Sequence, residues 1–443
     1  MDWTVKSASE MGAAIGAGAL DPVELTQSFL DKIATHPLAD RIYARVTPNR
    51  ALAEARAASQ RAKIGRRLSG LDGVPVSWKD LFDTAGTATE AGSALLTGRV
   101  PDRDAEVLNT ASAMGLVCLG KTHMSELAFS GLGLNPVTAT SPCVNDHDAV
   151  AGGSSSGAAT SVAFGLAAAA IGSDTGGSVR IPSAWNDLVG LKTTSGRVSL
   201  QGVVPLAVKF DTVGPLCRTV ADAAQMLAVL EGRGGPDLRG AQGLKGRRFA
   251  ALQTIVLEDL APQVAQSYSE SLDKMRDAGA EIVPLDVPQL VASMNDAGVL
   301  YTTEAWATWR NEITAQPDLM FKPIRERFEA GQHPSGADYV AAWQRLDQMR
   351  TAWATATAGF DAVLCPTAPN LPPKIDALME LGETYVTANL LTLRNTRVGN
   401  LTGGCGITIP TGTPSCGLLL TGAPMQEDRL LRVAQAVEMA LKA

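Results

Sequence analysis

The sequence has 443 residues, of which 45% are hydrophobic and 19% are charged, and its net charge is −7 at pH 7. This length and composition are typical of a globular enzyme with a large core. The negative charge provides no basic field for phosphate groups, which argues against a nucleic-acid partner.

The chain shows no pattern that would direct it out of the cell or into a membrane. Its start, MDWTVKSASEMG, lacks a basic segment followed by a long apolar one, and its most apolar window, at 162–171, is too short to span a bilayer. The six cysteines have no CxxC spacing, as expected of free thiols in a reducing compartment. We therefore expect a cytoplasmic protein without membrane contact.

Helices and strands are predicted to alternate along the first 235 residues. Asp21 as N-cap, with Pro22 and Glu24 in the first turn, predicts a helix at 21–34. Apolar spacing predicts the other elements of this part, which are helices at 49–65, at 104–115, near Ser125 and at 156–174, and strands at 72–84, at 116–122 and just before the turn at 174–178.

The second half continues this alternation more loosely. Its predicted elements are strands at 247–253, 281–287, 362–369, 406–412 and 415–422, and helices at 263–278, 295–358 and 427–442. The stretch 295–358 holds four of the seven tryptophans, which we expect in helix cores rather than at a substrate entrance. Alternating elements with short apolar strands predict an α/β fold with a mostly parallel or mixed central sheet.

Two short motifs match familiar patterns but are weak candidates for a site. GLVCLGKT at 115–122 fits the P-loop pattern, yet its middle residues predict a buried strand instead of a phosphate-binding loop. GSSSG at 153–157 fits a nucleophile elbow centred on Ser155, which requires a histidine late in the chain. His333 is the only late histidine and lies in a polar stretch. A Ser155–His333 esterase is therefore the least favoured reading of the chain.

The four histidines, at 36, 123, 147 and 333, show no zinc-binding spacing among themselves or with the cysteines. We accordingly expect neither a metal nor a cofactor.

Two glycine–serine stretches suggest serine chemistry that does not use histidine. AGGSSSG at 151–157 and SDTGGS at 173–178 each place a serine directly after two glycines. The small residues of the second stretch can turn several N–H groups toward one point, as an oxyanion hole requires, with Ser178 as the nucleophile. Lys79 follows the apolar run GVPVSW, and a lysine whose charged form is penalised by burial can act as a base.

These stretches belong to a longer series in which the sequence resembles the amidase signature family. The resembling segments are GVPVSWKD (73–80), GKTHMSELAFSG (120–131), AGGSSSGAATSVAFG (151–165), GSDTGGSVRIPSAWNDLVGLKTTSGRVS (172–199), DTVGPLCRTVADAA (211–224) and, less closely, RNTRVGNLTGGCGITIPTG (394–412). One departure is GGSSSGA at 152–158, where Ser156 and Ala158 replace the family's usual Gly and Ser.

The resemblance implies a single large α/β/α layered domain over residues 1–443, with a mixed central sheet covered by helices. Residues 1–235 would form the signature core that carries the catalytic residues. Residues 295–358 would form a variable helical region that shapes the substrate entrance, and residues 360–443 would return to the sheet and end in a helix.

The resemblance also implies a Ser–cisSer–Lys triad. Ser178 would attack the amide carbonyl and form an acyl-enzyme, while Ser154, behind a cis peptide from Gly153, would relay protons. Lys79 would be the final base and later the acid. The oxyanion hole is expected from the N–H groups of Thr175, Gly176, Gly177 and Ser178. The supporting residues are expected to be Ser155, Asp174 and Arg180, with Arg180 structural in preference to substrate-binding.

The function implied by the resemblance is that of an amidase (EC 3.5.1.-) that converts a small carboxamide, or an aryl or acyl amide, to a carboxylate and ammonia or an amine. The pocket wall would include Ala128, Phe129 and Gly131. The expected partner is a small-molecule amide, and self-association as a homodimer is also considered.

Two alternatives stay open within the same resemblance. The chain could be the A subunit of a tRNA-dependent glutamyl/aspartyl amidotransferase. It could also be a narrower hydrolase of biuret-, allophanate- or malonamide-like compounds, and Arg394 and Arg397 are the candidate contacts for such polar substrates.

Overall fold

The computed structural model describes residues 2–241, 243–380 and 382–443. Eleven strands of these residues form one sheet, and two others, β4 and β5, form a small separate one. In chain order the strands are β1 (Tyr43–Val46), β2 (Pro75–Lys79), β3 (Val117–Thr122), β4 (Pro142–Cys143), β5 (Asp146–Val150), β6 (Ala169–Ser173), β7 (Val189–Lys192), β8 (Val213–Cys217), β9 (Arg248–Leu252), β10 (Glu281–Leu285), β11 (Ala362–Pro366), β12 (Gly406–Pro410) and β13 (Gly417–Thr421).

The large sheet is mixed, which confirms the predicted α/β fold. Its order is β1-β3-β2-β6-β8-β7-β12-β13-β11-β9-β10. Strands β3, β2 and β6 are parallel neighbours, as are β11, β9 and β10, and β8, β7, β12 and β13 pair antiparallel between these two groups. The carboxyl ends of β2 and β6 therefore lie together at one edge, the place where open α/β sheets commonly bind ligands.

Helices flank this sheet. Those of the described residues are α1 (Ala8–Gly16), α2 (Pro22–Thr35), α3 (Ala39–Ile42), α4 (Pro48–Lys63), α5 (Glu106–Ala113), α6 (Ser156–Ala163), α7 (Arg180–Trp185), α8 (Val220–Leu230), α9 (Pro262–Asp277), α10 (Gln289–Ala315), α11 (Lys322–Glu329), α12 (Gly336–Thr357), α13 (Ile375–Met379), α14 (Glu383–Leu401) and α15 (Glu427–Lys442). Within the described part of the chain, no helix has the length and apolarity needed to cross a membrane.

The helical stretch predicted at 295–358 consists of α10, α11 and α12, and α10 packs against α11, α12 and α14. Trp309 and Trp353 are buried, and Trp306 and Trp343 are partly buried against the same core. The tryptophans are therefore helix-core residues, as predicted.

The long helix predicted at 156–174 is wrong. Only Ser156–Ala163 is helical, because Gly165 adopts a left-handed φ of +70° and turns the chain. The alanine-rich run that follows forms β6, which is fully buried between β2 and β8. Alanine favours helices in isolation, but small side chains also suit a strand covered on both faces, so tertiary packing overrides propensity here.

The helix predicted near Ser125 is also wrong. It is reduced to one 3-10 turn at Glu126–Ala128, where Leu127 and Ala128 have positive φ values of 44° and 61°. The P-loop match, in contrast, lies in the fully buried strand β3, as its apolar residues predicted.

Candidate active site

Lys79 is the last residue of β2 and has no solvent exposure. Its neighbour in the sheet, β6, ends at Ser173, so parallel pairing brings the two strand ends together. Lys79 Nζ donates hydrogen bonds to Ser154 Oγ at 2.7 Å and to Ser173 Oγ at 2.8 Å. The lysine head group therefore lies between two serine hydroxyls, away from water.

Burial has a direct electrostatic consequence for this lysine. Desolvation penalises the ammonium form and lowers the pKa of Lys79 to about 7, although the negative charges of Asp174 and Asp211 oppose the change. A large fraction of Lys79 is then neutral near neutral pH. A neutral amine can accept a proton, which an ordinary surface lysine at this pH cannot.

Ser154 lies in the loop between β5 and α6, after a cis Gly153–Ser154 peptide. Its carbonyl accepts a hydrogen bond from the Ser125 N–H at 3.1 Å, and Gly153 N–H donates to Gly131 O at 2.7 Å. A Cβ on Gly153 would lie 2.5 Å from Ser125 Oγ and 2.6 Å from Gly133 N. Glycine is therefore required for close packing against the 125–133 loop.

The loop that carries Ser178 is organised around one buried carboxylate. Asp174 accepts hydrogen bonds from the N–H groups of Gly177 and Val179 and from Arg180 Nε and Nη2, and Asn400 Nδ2 adds another. Burial alone would raise the pKa of Asp174, but the charge and hydrogen bonds of Arg180 outweigh burial and lower it well below its usual range. Asp174 is therefore a permanent anion that fixes the loop.

The predicted oxyanion donors do not all point the same way. Gly177 N–H donates to Asp174 Oδ1 at 2.9 Å, so this group is used inside the loop and the expectation that it faces an oxyanion needs correction. In the described part of the chain, the N–H groups of Thr175, Gly176 and Ser178 have no hydrogen-bond acceptor. These three remain available to an oxyanion.

Thr175, Gly176 and Ser178 face a small cavity, which we call the inner cavity, of about 20 Å³, room for about one water molecule. Its walls include Thr175, Gly176, Ser178, Ala128 and Phe129. Gly131, the third predicted wall residue, is not part of this lining.

Gly131 instead supports the cavity from behind. Its N–H donates to Asn389 Oδ1 at 2.8 Å, and a Cβ at this position would lie 2.8 Å from Leu393 Cγ. Leu393 itself lines the inner cavity. Gly131 therefore permits the close approach of α14 rather than contact with a substrate.

Three polar or charged side chains of the inner cavity come from the helices of the second half, namely Tyr301, Arg327 and Arg397. They also line an adjoining larger cavity of about 530 Å³, which we call the vestibule. Tyr301 and Arg327 escaped the sequence reasoning because no motif surrounds them, whereas Arg397 was a candidate. A separate surface pocket of about 460 Å³, lined in part by Trp353 and Phe360, contains none of Lys79, Ser154 or Ser178.

The two arginine candidates of α14 have different surroundings. Arg397 lines both the inner cavity and the vestibule. Arg394 lines neither: it donates to the carbonyl of Glu258 and lies 3.8 Å from the Asp259 carboxylate.

The supporting residues have mainly structural contacts. Arg180 is fully buried and directs its guanidinium to Asp174, Thr396 O and Asn400 Oδ1. These contacts support the structural role predicted for Arg180. Ser155 Oγ donates to Ser173 O at 3.2 Å and is fully buried.

The position of His333 bears on the esterase alternative. His333 is exposed in the segment between α11 and α12, and no described contact joins it to Ser155. The structure therefore does not bring together the pair required by the nucleophile-elbow reading. In residues 2–241, 243–380 and 382–443, no three His, Cys, Asp or Glu side chains are grouped so that they could hold a metal ion.

A buried lysine, two serines and free backbone donors on an α/β sheet form the arrangement expected of a serine hydrolase that works without histidine. The sequence model of the family described as "Amidase" matches residues 24–431. The A subunit of the glutamyl-tRNA(Gln) amidotransferase from Anaeromyxobacter sp. (strain K) is 34% identical, over 98% of this chain and 95% of that protein. The 2-amino-5-chloromuconic acid deaminase of Comamonas testosteroni is 32% identical, over 98% and 96%.

Solved structures give the same result. The native peptide amidase from Stenotrophomonas maltophilia is 27% identical and superposes with a TM-score of 0.81 over 99% of this chain and 97% of that one. The protein accordingly belongs to the amidase signature family, whose members hydrolyse C–N bonds of amides. It is an amidase with the amidase signature fold.

Proposed function

We propose that this amidase hydrolyses a small linear amide through an acyl-enzyme on Ser178. Neutral Lys79 accepts a proton from Ser154, Ser154 accepts one from Ser178, and Ser178 Oγ bonds to the carbonyl carbon. The oxyanion of the tetrahedral intermediate accepts hydrogen bonds from the N–H groups of Thr175, Gly176 and Ser178.

The same chain of groups then works in reverse. The proton held by Lys79 returns through Ser154 to the nitrogen of the breaking C–N bond, and ammonia or an amine leaves. Water attacks the acyl-enzyme, gives its proton to the same relay, and releases the carboxylate and the free Ser178 hydroxyl. The net reaction consumes one amide and one water.

One observation carries this proposal. The buried Lys79 amine lies 2.7 Å from Ser154 Oγ, and its pKa is lowered to about 7 by burial. Proton transfer by a positioned base is most effective when the base has a pKa near the working pH. Asp174 and Arg180 are paired with each other, so neither is free to take a proton from Ser154, and Lys79 is the base that fits.

Trapping of the acyl-enzyme tests the assignment. The enzyme is incubated with an aryl ester that acylates serine hydrolases and gives an acyl-enzyme that hydrolyses slowly. Peptide mapping should then place the acyl mass on Ser178. The Ser178→Ala variant should gain no mass and hydrolyse no amide. The His333→Ala variant should behave as wild type. Acylation of Ser155, or amide turnover by Ser178→Ala, would overturn the proposal.

The A subunit of an amidotransferase is the second candidate, because the Anaeromyxobacter protein of that name is 34% identical over 98% of this chain. The narrow hydrolase of biuret-, allophanate- or malonamide-like compounds is the third. Ammonia release by the purified chain alone, measured over a panel of amides and ureas, separates the first candidate from the second. Release that requires charged tRNA and added partner proteins would favour the amidotransferase.

The cellular setting belongs to the same proposal. All six cysteines are buried free thiols, which fits the cytoplasm, and the proposed partner is the small-molecule amide. A homodimer stays a prediction, which the molecular mass in solution would decide.

A further inference from the structure

Two positive side chains stand beside Ser178 without a negative partner. Arg327 and Arg397 both line the inner cavity and the vestibule. Among the described residues, no carboxylate forms an ion pair with either. Within the same residues, the only hydrogen bond of the Arg327 guanidinium goes from Nη1 to Phe129 O at 3.1 Å, and the Arg397 guanidinium forms none.

The charges of these arginines are not compensated by the protein. Burial lowers the pKa of Arg327, and the positive charge of Arg397 lowers it further; burial also lowers the pKa of Arg397. Both side chains are half-buried, and such an arrangement is costly unless an anion completes it, because charges withdrawn from water are normally paired. Other arginines of the chain follow that rule, for example Arg180 with Asp174 and Arg50 with Asp104.

A third group in the same place also lacks a partner. Tyr301 is only 6% exposed, yet its buried hydroxyl has no hydrogen-bond partner among the described residues. Its ring lies 5.9 Å from the Arg397 guanidinium. Buried hydroxyls are nearly always hydrogen-bonded, so an O–H donor here is available to the same ligand as the guanidiniums.

We propose that Arg327, Arg397 and Tyr301 bind a carboxylate of the substrate, so that the enzyme selects amides that also carry an acid group. This inference rests on the proposed amide hydrolysis at Ser178. Planar guanidiniums match a carboxylate through paired N–H donors. The reaction is then conversion of an amide-acid and water to a dicarboxylate and an ammonium ion.

The two cavities agree with this arrangement. The inner cavity holds about one water-sized group next to Ser178, which suits the reacting amide end. Because the arginines and Tyr301 line both cavities, the acid group would lie between the reacting carbonyl and the open vestibule. A short carbon chain therefore separates the amide from the carboxylate.

Binding to the Ser178→Ala variant tests the inference without turnover. The probes are malonamate, succinamate and glutaramate, each compared with its neutral methyl ester by calorimetry. At least one acid should bind about tenfold or more tightly than its own ester, as hydrogen bonds to a charged group predict. Addition of Arg397→Ala should remove this preference. Addition of Arg394→Ala, a matched change on the same helix but outside both cavities, should keep it.

The outcomes are distinct. The inference is overturned if no acid binds more tightly than its ester, or if the preference survives Arg397→Ala. Ammonia release by the otherwise wild-type enzyme gives a second readout, in which Arg397→Ala should lower kcat/KM for the preferred acid about 10- to 100-fold and change it far less for the ester. An enzyme that acylates on Ser178 but treats acids and esters alike would refute this inference and leave the proposed function standing.

Discussion

At the scale of single residues, the site depends on an amine that is removed from water. Lys79 has two hydroxyl neighbours, Ser154 and Ser173, and no carboxylate pairs with its Nζ in the described part of the chain. A direct ion pair would stabilise the ammonium form and keep the proton on the lysine. Hydroxyl partners instead leave the amine able to gain and lose a proton.

The pH dependence of kcat/KM should report this amine. Because the neutral form of Lys79 is the proposed base and its pKa is about 7, activity should rise as pH increases through about 7 and level off above it. Lys79→Ala should lower the rate by orders of magnitude. The measurement is initial ammonia release across buffers of constant ionic strength.

A control is needed because burial also raises the pKa of Glu126 to about 7. Its carboxylate accepts hydrogen bonds from Ser93 Oγ and the Phe321 N–H, so it does not contact the relay. Glu126→Gln should therefore keep the rising limb near its wild-type position. A limb that disappears in this variant would assign the titration to Glu126 instead.

Ser154→Ala should slow amide turnover by at least about 100-fold, in line with the contribution of a proton-transferring group. The change removes the hydroxyl that accepts from Lys79 Nζ and interrupts the relay to Ser178. Steady-state kinetics with a neutral carboxamide measures the effect. A variant that turns over as fast as wild type would contradict the relay.

At the scale of elements, the turn at 174–178 shows why two adjacent glycines differ. Gly177 has φ +143°, and a Cβ there would lie 2.1 Å from Thr396 Oγ1 and 2.6 Å from Ile181 Cδ1. A Cβ on Gly176 would meet only Leu393 Cδ2, at 3.7 Å, which is an ordinary contact. Position 177 therefore requires glycine, whereas position 176 tolerates a methyl group.

Gly177→Ala should lower the free energy of unfolding by about 1–3 kcal/mol, because it combines overpacking with a left-handed backbone. Gly176→Ala, its matched neighbour, should change the free energy of unfolding by less than about 0.5 kcal/mol. Denaturant titration of both variants checks this. Equal losses for the two would show that the turn is not packed as described.

Sequence patterns predicted most helices and strands correctly. The helix predicted at 156–174 is wrong because tertiary packing, which the local sequence does not show, decides the structure of its second half. The helices at 21–34 and 427–442 carry their own caps or amphipathic spacing and form where predicted. The run 166–171 is alanine-rich, and only the neighbours β2 and β8 decide that part of it is a strand. The site divides in the same way: the serines and Lys79 stand in recognisable motifs, whereas Tyr301 and Arg327 reach the cavity through helix packing alone.

At the scale of the whole molecule, helix α14 joins the two halves of the chain at the loop that carries Ser178. Arg180 Nη1 donates to Thr396 O and Nη2 to Asn400 Oδ1, both at 2.6 Å. Thr396 Oγ1 in turn donates to Gly176 O at 2.8 Å. The loop that carries Ser178 is therefore held by residues more than two hundred positions away in sequence.

Arg180→Ala should lower the free energy of unfolding by about 3–5 kcal/mol, because it leaves the carboxylate of Asp174 buried without its cation. Arg345→Ala removes a partly exposed pair with Asp296 and should cost no more than about 1 kcal/mol. Chemical unfolding of both variants gives the comparison. A loss at Arg180 as small as at Arg345 would mean that the buried pair does not hold the loop.

Helix α14 both holds a loop and lines the cavities, and these two roles constrain how the substrate specificity of this enzyme can change. Thr396 and Asn400 hold the loop that carries Ser178, while Arg397, between them in sequence, faces the cavities. Mutations in α14 that change the cavity should therefore also destabilise the loop that α14 holds. Mutations in α10 and α11 should destabilise this loop much less. Laboratory libraries that seek new substrates should therefore yield more active members at Tyr301 and Arg327 than along α14.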